Sequence, residues 1–591
     1  MSSPPRPLTG AHIIARTLRD LKVQVIFGIV GVPVSDIAEQ AINLGIRFIG
    51  FRNEQAASYA ATAYGYLTGR PGVCLVVGGP GVLHAIAGIG NASANSFPLL
   101  LLSGSTEMHL TTKGAFQELD SISLLTPHTK LAVRAPSPDL LPHILATVYR
   151  HAFYGRPGPG FVDIPADIIT AALESPDVEE TPTIAAPPTP AAEETLIARI
   201  ASLIKSSSAP LLVLGKGSAY SRAESAIRAL VTATQIPFLP TPMGKGIVPD
   251  SHPQNVAAAR SAALKGADLV VLLGARLNWI LHFGEEPKWN KGVRFVQVDV
   301  CVEELGRNAG VRGVGVFGDV GVVVRQLVAS LGDWKFDSEG KGSVFMGKLN
   351  AAREKNEKAV RAAAQDSSIP LSYSHAFEVI KTAMHELSPP EDGGIVYVAE
   401  GANTMDISRS IFPVEYPRLR LDAGSYATMG VGLAYAIAAW EAYNGHGAQA
   451  SSGPTGRKKV VAIEGDSAFG FSGMEVETMA RFGMDVLIFV INNGGIYFGD
   501  SDSAEDWSKR QEKTVKGEPG LRSWALGWEV KYEKMAEACG GLGYFVRTPD
   551  ELRRATIEGF RAKVPVVVNV IIQSEKVEKP VSGSSCLVFL S

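Results

Sequence analysis

Two oxygen-bearing side chains frame the most informative stretch of the sequence, VVAIEGDSAFGFSGMEVETMARFGMDVLIFVINNGGIYFG at residues 460–499. Asp466 follows one apolar run and Asn493 follows the next. A carboxylate, an amide oxygen and a backbone carbonyl form the hard oxygen set that Mg²⁺ takes when it bridges phosphates. Asp466, Asn493 and the carbonyl of Gly495 are therefore the candidate metal ligands. Gly465, Ser467 and Ala468 are small enough for backbone N–H groups to approach a diphosphate where a helix begins and its dipole favours an anion. Either half alone reads as a capped turn or an Asn-Asn-Gly-Gly loop; both halves on one strand–helix–strand unit favour the metal and diphosphate reading. A third position is Glu54, directly after Asn53 in FIGFRNEQAASYAATAYGYLTG. A first-turn acid behind an Asn cap is ordinary compensation of a helix dipole. Beside a diphosphate site, the same carboxyl can serve a coenzyme as acid or base.

These positions need a scaffold that brings strand ends together. Residues 459–464 read as a strand, 473–482 as a helix and 485–491 as a second strand. A right-handed crossover puts both strand ends on one sheet edge, where ligands of open α/β sheets collect. The same alternation recurs in VQVIFGI and VSDIAEQAINLG, in PGVCLVVGG and VLHAIAGIGNA, and in DLVVLLGA and VRFVQVDV. The expected fold is α/β with three parallel-sheet domains. A length of 591 residues suits three domains of roughly 150–200 residues. A Pro-rich acidic stretch at 173–193 and a charged stretch at 333–369 mark the linkers. The domains are expected at 1–175, 194–335 and 370–575, with a tail at 576–591. The polar stretch 444–457 reads as a surface loop without chemistry.

A formal charge of −3 provides no global basic field, so neither nucleic acid nor an anionic membrane is an expected partner. Cys74, Cys301, Cys539 and Cys586 are far apart, against a disulfide framework and a cysteine-rich zinc site and in favour of a reduced intracellular compartment. The start, MSSPPRPLTG, lacks a secretory pattern, and no run reaches the roughly 20 apolar residues of a membrane span, so a soluble protein is expected. Phe589-Leu590-Ser591 is not a Ser-Lys-Leu type of address, which leaves cytosol and peroxisome both open.

The Gly465-Asp466-Ser467 and Asn492-Asn493 pattern resembles the Gly-Asp-Gly/Ser … Asn-Asn motif of thiamine-diphosphate enzymes, with Ser467 in place of the commoner third glycine. The resemblance covers nearly the whole chain, in the order pyrimidine-binding, central and diphosphate-binding domain. It implies thiamine diphosphate and Mg²⁺ as cofactors, with Glu54 holding the ring nitrogen opposite the coenzyme's 4'-amino group. It places Tyr426, Ala427, Ile496 and Tyr497 around the coenzyme, Asn403 against the coenzyme or an adenine, and Met429 as an apolar wedge. Ordinary core packing is the competing reading of Met429. In the family the two coenzyme-binding halves meet across a subunit boundary, which implies a homodimer at minimum, and many relatives are homotetramers.

The strings IFGIVGVPV, RNEQAASYAA, YGRPGPGFVDIPAD, LGKGSAY and EGANTMDISRS look most similar to 2-hydroxyacyl-CoA lyases and their sister family, oxalyl-CoA decarboxylases. Both act on acyl-CoA thioesters. Arg409, Arg418 and Arg420 are the candidate cations for CoA phosphates, against the alternative of solvated arginines at strand ends. Arg156, Lys216, Arg276 and Asp299 are placed like the nucleotide site at which the decarboxylase binds an ADP activator; structural loops explain them equally well. Phe116-Gln117 matches the lyase form where the decarboxylase tends to have Tyr-Glu, and the neutral amide of Gln117 suits a hydroxyl-bearing substrate. The expected reaction is cleavage of a 2-hydroxyacyl-CoA to formyl-CoA and an aldehyde one carbon shorter, or the reverse condensation. Oxalyl-CoA decarboxylation to formyl-CoA and CO₂ is the alternative, acetolactate synthesis a more distant one, and a catalytically silent regulatory homologue the reading of a different class. Residues 501–528 and the tail 577–591, which holds Gly583, Ser584 and Cys586, are the expected cover over the thioester.

Overall fold

The apolar runs become strands whose residues are almost all buried, as parallel sheets covered on both faces require. The computed structural model describes residues 8–173, 180–310, 313–445, 448 and 450–574. The tail at 576–591, with Gly583, Ser584 and Cys586, lies outside them, as do parts of the 173–193 and 444–457 stretches.

The described residues form three parallel sheets and one short antiparallel pair, Leu8–Thr9 with Ala172–Leu173. The first sheet has the order Arg47–Gly50, Val25–Gly28, Gly72–Val76, Leu99–Ser105, Pro159–Pro165, Leu131–Arg134. The second runs Phe238–Pro240, Pro210–Leu214, Leu269–Leu273, Arg294–Asp299, Gly313–Phe317. The third runs Arg420–Asp422, Ile395–Glu400, Lys459–Gly465, Leu487–Asn492, Val566–Ile571, Leu542–Val546. The three-sheet α/β expectation holds.

All three sheets share one topological feature. The chain adds its second strand on one side of the first, then its third on the other side. Connections leave in opposite directions at that point and open a crevice beyond the strand ends. In the third sheet the crevice lies between Ile395–Glu400 and Lys459–Gly465, immediately before Asp466. In the second it lies between Pro210–Leu214 and Leu269–Leu273, immediately before Lys216 and Arg276.

By contact the chain divides into two compact units. The first holds the first sheet together with Leu433–Ala450 and Met474–Phe482; the second holds the other two sheets. In the first unit, Asn91 Nδ2 donates to Tyr435 Oη at 2.8 Å and Arg47 pairs with Glu441 at 3.4 Å. The helix expected over 473–482 forms as Glu475–Arg481, and a separate short helix, Asp466–Ser472, precedes it. They belong to different units, so the chain breaks at Gly473–Met474 where its packing partners change.

Candidate coenzyme site

In the second unit, Asp466 is the first residue of its helix and is almost fully buried. Its Oδ1 accepts the N–H of Ser467 at 2.8 Å, and its Oδ2 accepts those of Gly494 and Gly495 at 2.9 and 3.2 Å. Asn493 Oδ1 accepts the Gly495 N–H at 3.1 Å, while its Nδ2 lies 3.3 Å from both Tyr373 Oη and the Tyr497 carbonyl. Asn403 Nδ2 donates to that same carbonyl at 2.8 Å. Asp466, Asn493, Gly495, Tyr497 and Asn403 therefore meet in one place.

The backbone there disfavours larger residues, by its conformation at one glycine and by close contact at the next. Gly494 has φ +74°, and a Cβ on Gly495 would stand 2.0 Å from the Phe498 carbonyl oxygen. Burial pushes the Asp466 carboxyl up to about 7, and among the described residues no cationic side chain compensates it. The loop holding Tyr426, Ala427 and Met429 is fastened at both ends. Gly430 and Gly432 donate to the buried Glu400 carboxylate, and Ser425 receives Arg276 Nη2 on its hydroxyl and Trp279 Nε1 on its carbonyl, each at 2.8 Å. Tyr426 and Ala427 are exposed and Met429 is half-buried. Ile496 and Tyr497 also present exposed surface.

In the first unit, Asn53 caps the helix Glu54–Thr68 by accepting the Gln55 N–H at 2.7 Å. Glu54 Oε2 lies 3.0 Å from His84 Nδ1. Gly79, at φ +52°, lets the Gln117 backbone approach: a Cβ there would stand 2.7 Å from the Gln117 carbonyl oxygen. Gln117 itself has φ +55°, and its side-chain oxygen is buried without a hydrogen-bond partner. Phe116 beside it is 72% exposed. Glu118 orders this loop by accepting backbone N–H groups from Thr112, Gly114 and Ala115, which hold its carboxyl below the usual range.

Residues 8–124 match the family described as thiamine pyrophosphate enzyme, N-terminal TPP binding domain; 197–327 match its central domain and 400–570 its C-terminal TPP binding domain. The chain is 43% identical to 2-hydroxyacyl-CoA lyase 1 of Homo sapiens over 97% of its own length and 96% of the human protein. It is 42% identical to 2-hydroxyacyl-CoA lyase of Arabidopsis thaliana, covering 96% of each chain, and 38% identical to oxalyl-CoA decarboxylase of Escherichia coli, covering 95% of this chain and 94% of that one. The chain belongs to the thiamine pyrophosphate enzymes of the 2-hydroxyacyl-CoA lyase family.

The residues present in this thiamine pyrophosphate enzyme fit the coenzyme. Asn403 Oδ1 is buried beside Tyr497 with no partner, an orphan that a bound donor would satisfy. Gly401 and Gly430, at φ +95° and +88°, together with Gly494 and Gly495, line the strand ends with backbone rather than side chains.

The cations expected to meet CoA phosphates are placed differently. Arg409 is buried against Asp406 at 2.6 Å and Asp422 at 3.1 Å; Arg420, also buried, bonds Ser408 Oγ at 2.9 Å. Arg418 is buried against Glu224 at 2.9 Å and the Ala219 carbonyl at 2.7 Å. Burial with carboxylate and carbonyl partners makes them internal ties of the second unit, and Arg409 also borders the cavity of about 590 Å³ described below. Lys216 and Arg276 share a cleft of about 60 Å³, while the Asp299 carboxylate accepts the Cys301 N–H and so caps its own turn. Arg156 lies in the first unit and bonds Ser96 Oγ at 2.8 Å.

Several contributors escaped sequence reasoning. Glu475 is buried, accepts the Arg52 N–H at 3.2 Å and the Thr478 hydroxyl at 2.7 Å, and thereby anchors the approach to Glu54. A cavity of about 590 Å³ in the second unit is bordered by Lys245, Arg260, Arg353, Arg361 and Lys381. No local motif marks these residues.

Proposed function

We propose that this chain cleaves the C1–C2 bond of a 2-hydroxyacyl-CoA, giving formyl-CoA and an aldehyde one carbon shorter. The two products together have the substrate's composition, because the hydroxyl proton leaves the aldehyde oxygen and a proton ends on the formyl carbon. The observation that carries this choice is Gln117, whose buried amide oxygen lacks a donor and suits the substrate's 2-hydroxyl. An oxalyl group has a carboxylate there and no donor to offer.

Thiamine diphosphate, when bound, supplies a thiazolium ring that takes up the electrons of the broken carbon–carbon bond. Glu54 would hold the aminopyrimidine ring nitrogen and pass a proton at its carboxyl oxygen. Asp466, Asn493 and the Gly495 carbonyl would hold Mg²⁺; the uncompensated charge of Asp466 and the all-oxygen donor set support that assignment. Gly465, Ser467 and Ala468 would face the diphosphate, and Asn403, Tyr426, Ala427, Met429, Ile496 and Tyr497 would flank the coenzyme. The cavity of about 590 Å³, bordered by lysine and arginine side chains including Arg409 as well as by Asp250, Glu357, Glu391 and Glu415, is the proposed seat of the phosphates of an acyl-CoA. Lys216 and Arg276 at the crevice of the second sheet support a nucleotide such as ADP as activator, with Arg156 and Asp299 as further candidates.

Three domains at 1–175, 194–335 and 370–575, each with one parallel sheet, accompany this reading. A homodimer at minimum, extending to a homotetramer, is supported by the exposed apolar side chains of Val30, Val32, Leu83 and Phe116 in the first unit. Among the described residues no helix is long and apolar enough to cross a membrane, and cytosol or peroxisome is the proposed location.

Supplying 2-hydroxyacyl-CoA and oxalyl-CoA separately, with products resolved by mass spectrometry, tests the reaction. Aldehyde and formyl-CoA from the hydroxyacyl thioester are expected. CO₂ from oxalyl-CoA without aldehyde from the other substrate would replace the lyase by the decarboxylase reading, and no turnover of either would favour a silent homologue.

A further inference from the structure

The role given to Glu54 leaves His84 unexplained. It lies on the helix Pro80–Asn95, whose first residues leave the Gly78–Gly81 turn. This helix packs on Glu54–Thr68 along a seam of small and polar residues. Gly88 meets Ser58 so closely that a Cβ on Gly88 would stand 2.3 Å from Ser58 Oγ. Farther along, Asn91 Nδ2 donates to Thr62 Oγ1 at 3.2 Å. Side chains four apart share a helix face, so one turn before Gly88 and Ser58 the seam must bring together His84 and Glu54. It does, with Nδ1 and Oε2 3.0 Å apart. The contact follows from helix packing. The imidazole is 62% exposed and the Glu54 side chain 16% exposed, so the pair lies at the surface of its unit with Glu54 the more enclosed member.

We propose that His84 is a positioning residue for Glu54: its Nδ1–H donates to Oε2 and fixes the carboxyl so that Oε1 is presented to the coenzyme's ring nitrogen. The proposal rests on the role assigned to Glu54 above. It specifies the Nδ1 position, because a donor there reaches Oε2 while one at the Nε2 position is displaced across the ring. No other hydrogen-bond partner of either carboxyl oxygen is formed among the described residues.

The test uses the full chain loaded with thiamine diphosphate and Mg²⁺. Two readouts are followed besides turnover: coenzyme affinity from quenching of tryptophan fluorescence, and the rate of hydrogen–deuterium exchange at the reactive carbon of the coenzyme, read by NMR after acid quench. His84→Ala is expected to slow exchange about tenfold while affinity stays within about twofold. His84→Asn, whose amide nitrogen falls near the Nδ1 position, is expected to recover the rate; His84→Gln, whose amide falls near Nε2, is not. Unchanged exchange in His84→Ala, or equal recovery by Asn and Gln, would overturn the proposal. Glu54→Gln separates the two ideas. If it abolishes exchange while His84→Ala does not affect it, only the role of His84 fails; if Glu54→Gln exchanges normally, the role of Glu54 fails and that of His84 with it.

Discussion

At the scale of single residues, Asp466 and Glu54 make separable demands on the coenzyme. Asp466 is buried with three backbone donors but no cation, so its substitution should act on binding. Asp466→Asn is expected to weaken Mg²⁺-dependent coenzyme affinity by about a hundredfold, measured by calorimetric titration; unchanged affinity would remove Asp466 from the metal site. Glu54 lies in the other unit and should act on chemistry. Glu54→Gln is expected to lower kcat by roughly 10²–10³ with coenzyme affinity nearly unchanged, within the range of lost acid–base catalysis. Both side chains were legible in the sequence because each sits at a local strand-to-helix junction whose cap and small residues are contiguous. His84 was not, because a histidine inside an apolar helix carries no mark of the helix it will face.

At the scale of elements, Glu475 shows how a short helix positions a distant segment. Glu475–Arg481 grips the strand before Glu54 from two sides: the Glu475 carboxylate takes the Arg52 N–H, and Arg481 Nη2 donates to the Gly50 carbonyl at 2.6 Å. Burial pushes the Glu475 carboxyl up to about 7. Its folded-state value then exceeds its unfolded one, the folded protein holds the extra proton between about 4.5 and about 7, and stability falls as pH rises through that window. At about 1.4 kcal/mol per unit the full effect is at most about 3.5 kcal/mol. Thermal midpoints of the parent and Glu475→Gln between pH 5 and 8 should therefore move in favour of Gln as pH rises. A difference independent of pH would contradict a buried titrating carboxyl. The helix expected over 473–482 forms as Glu475–Arg481, while the short helix Asp466–Ser472 just before it belongs to the other unit. Periodicity reports which face is buried, not against what.

At the scale of the whole molecule, the cavity bordered by Arg260, Arg353 and Arg361 is the strongest candidate for the nucleotide end of the substrate. Arg353→Ala and Arg361→Ala are expected to raise KM for an acyl-CoA about tenfold with kcat little changed, the signature of lost ground-state binding. The same variants should leave KM unchanged for a thioester of N-acetylcysteamine, which lacks the nucleotide; an equal rise for both substrates would place the phosphates elsewhere. These cations come from the first residue of the short helix Arg260–Gly266 and from a long, largely exposed helix, Ser343–Ala364, in which no local motif marks a ligand. The arginines that looked accessible in YPRLRLD and MDISRS instead face Asp406, Asp422 and Glu224 inside the second unit.

The sequence alone determined the three-sheet α/β plan, the strand-end positions of the loops at 465–468 and 493–497, and the family, because strands, turns and caps are written in contiguous residues. Only the tertiary structure decided which charges stay available. Arg409, Arg418 and Arg420 were tied to partners within the second unit, Glu475 to the Arg52 backbone and His84 to Glu54. A side chain's electrostatic role depends on what packing brings within about 3 Å of it, and that distance is set by helices and strands far apart in the chain.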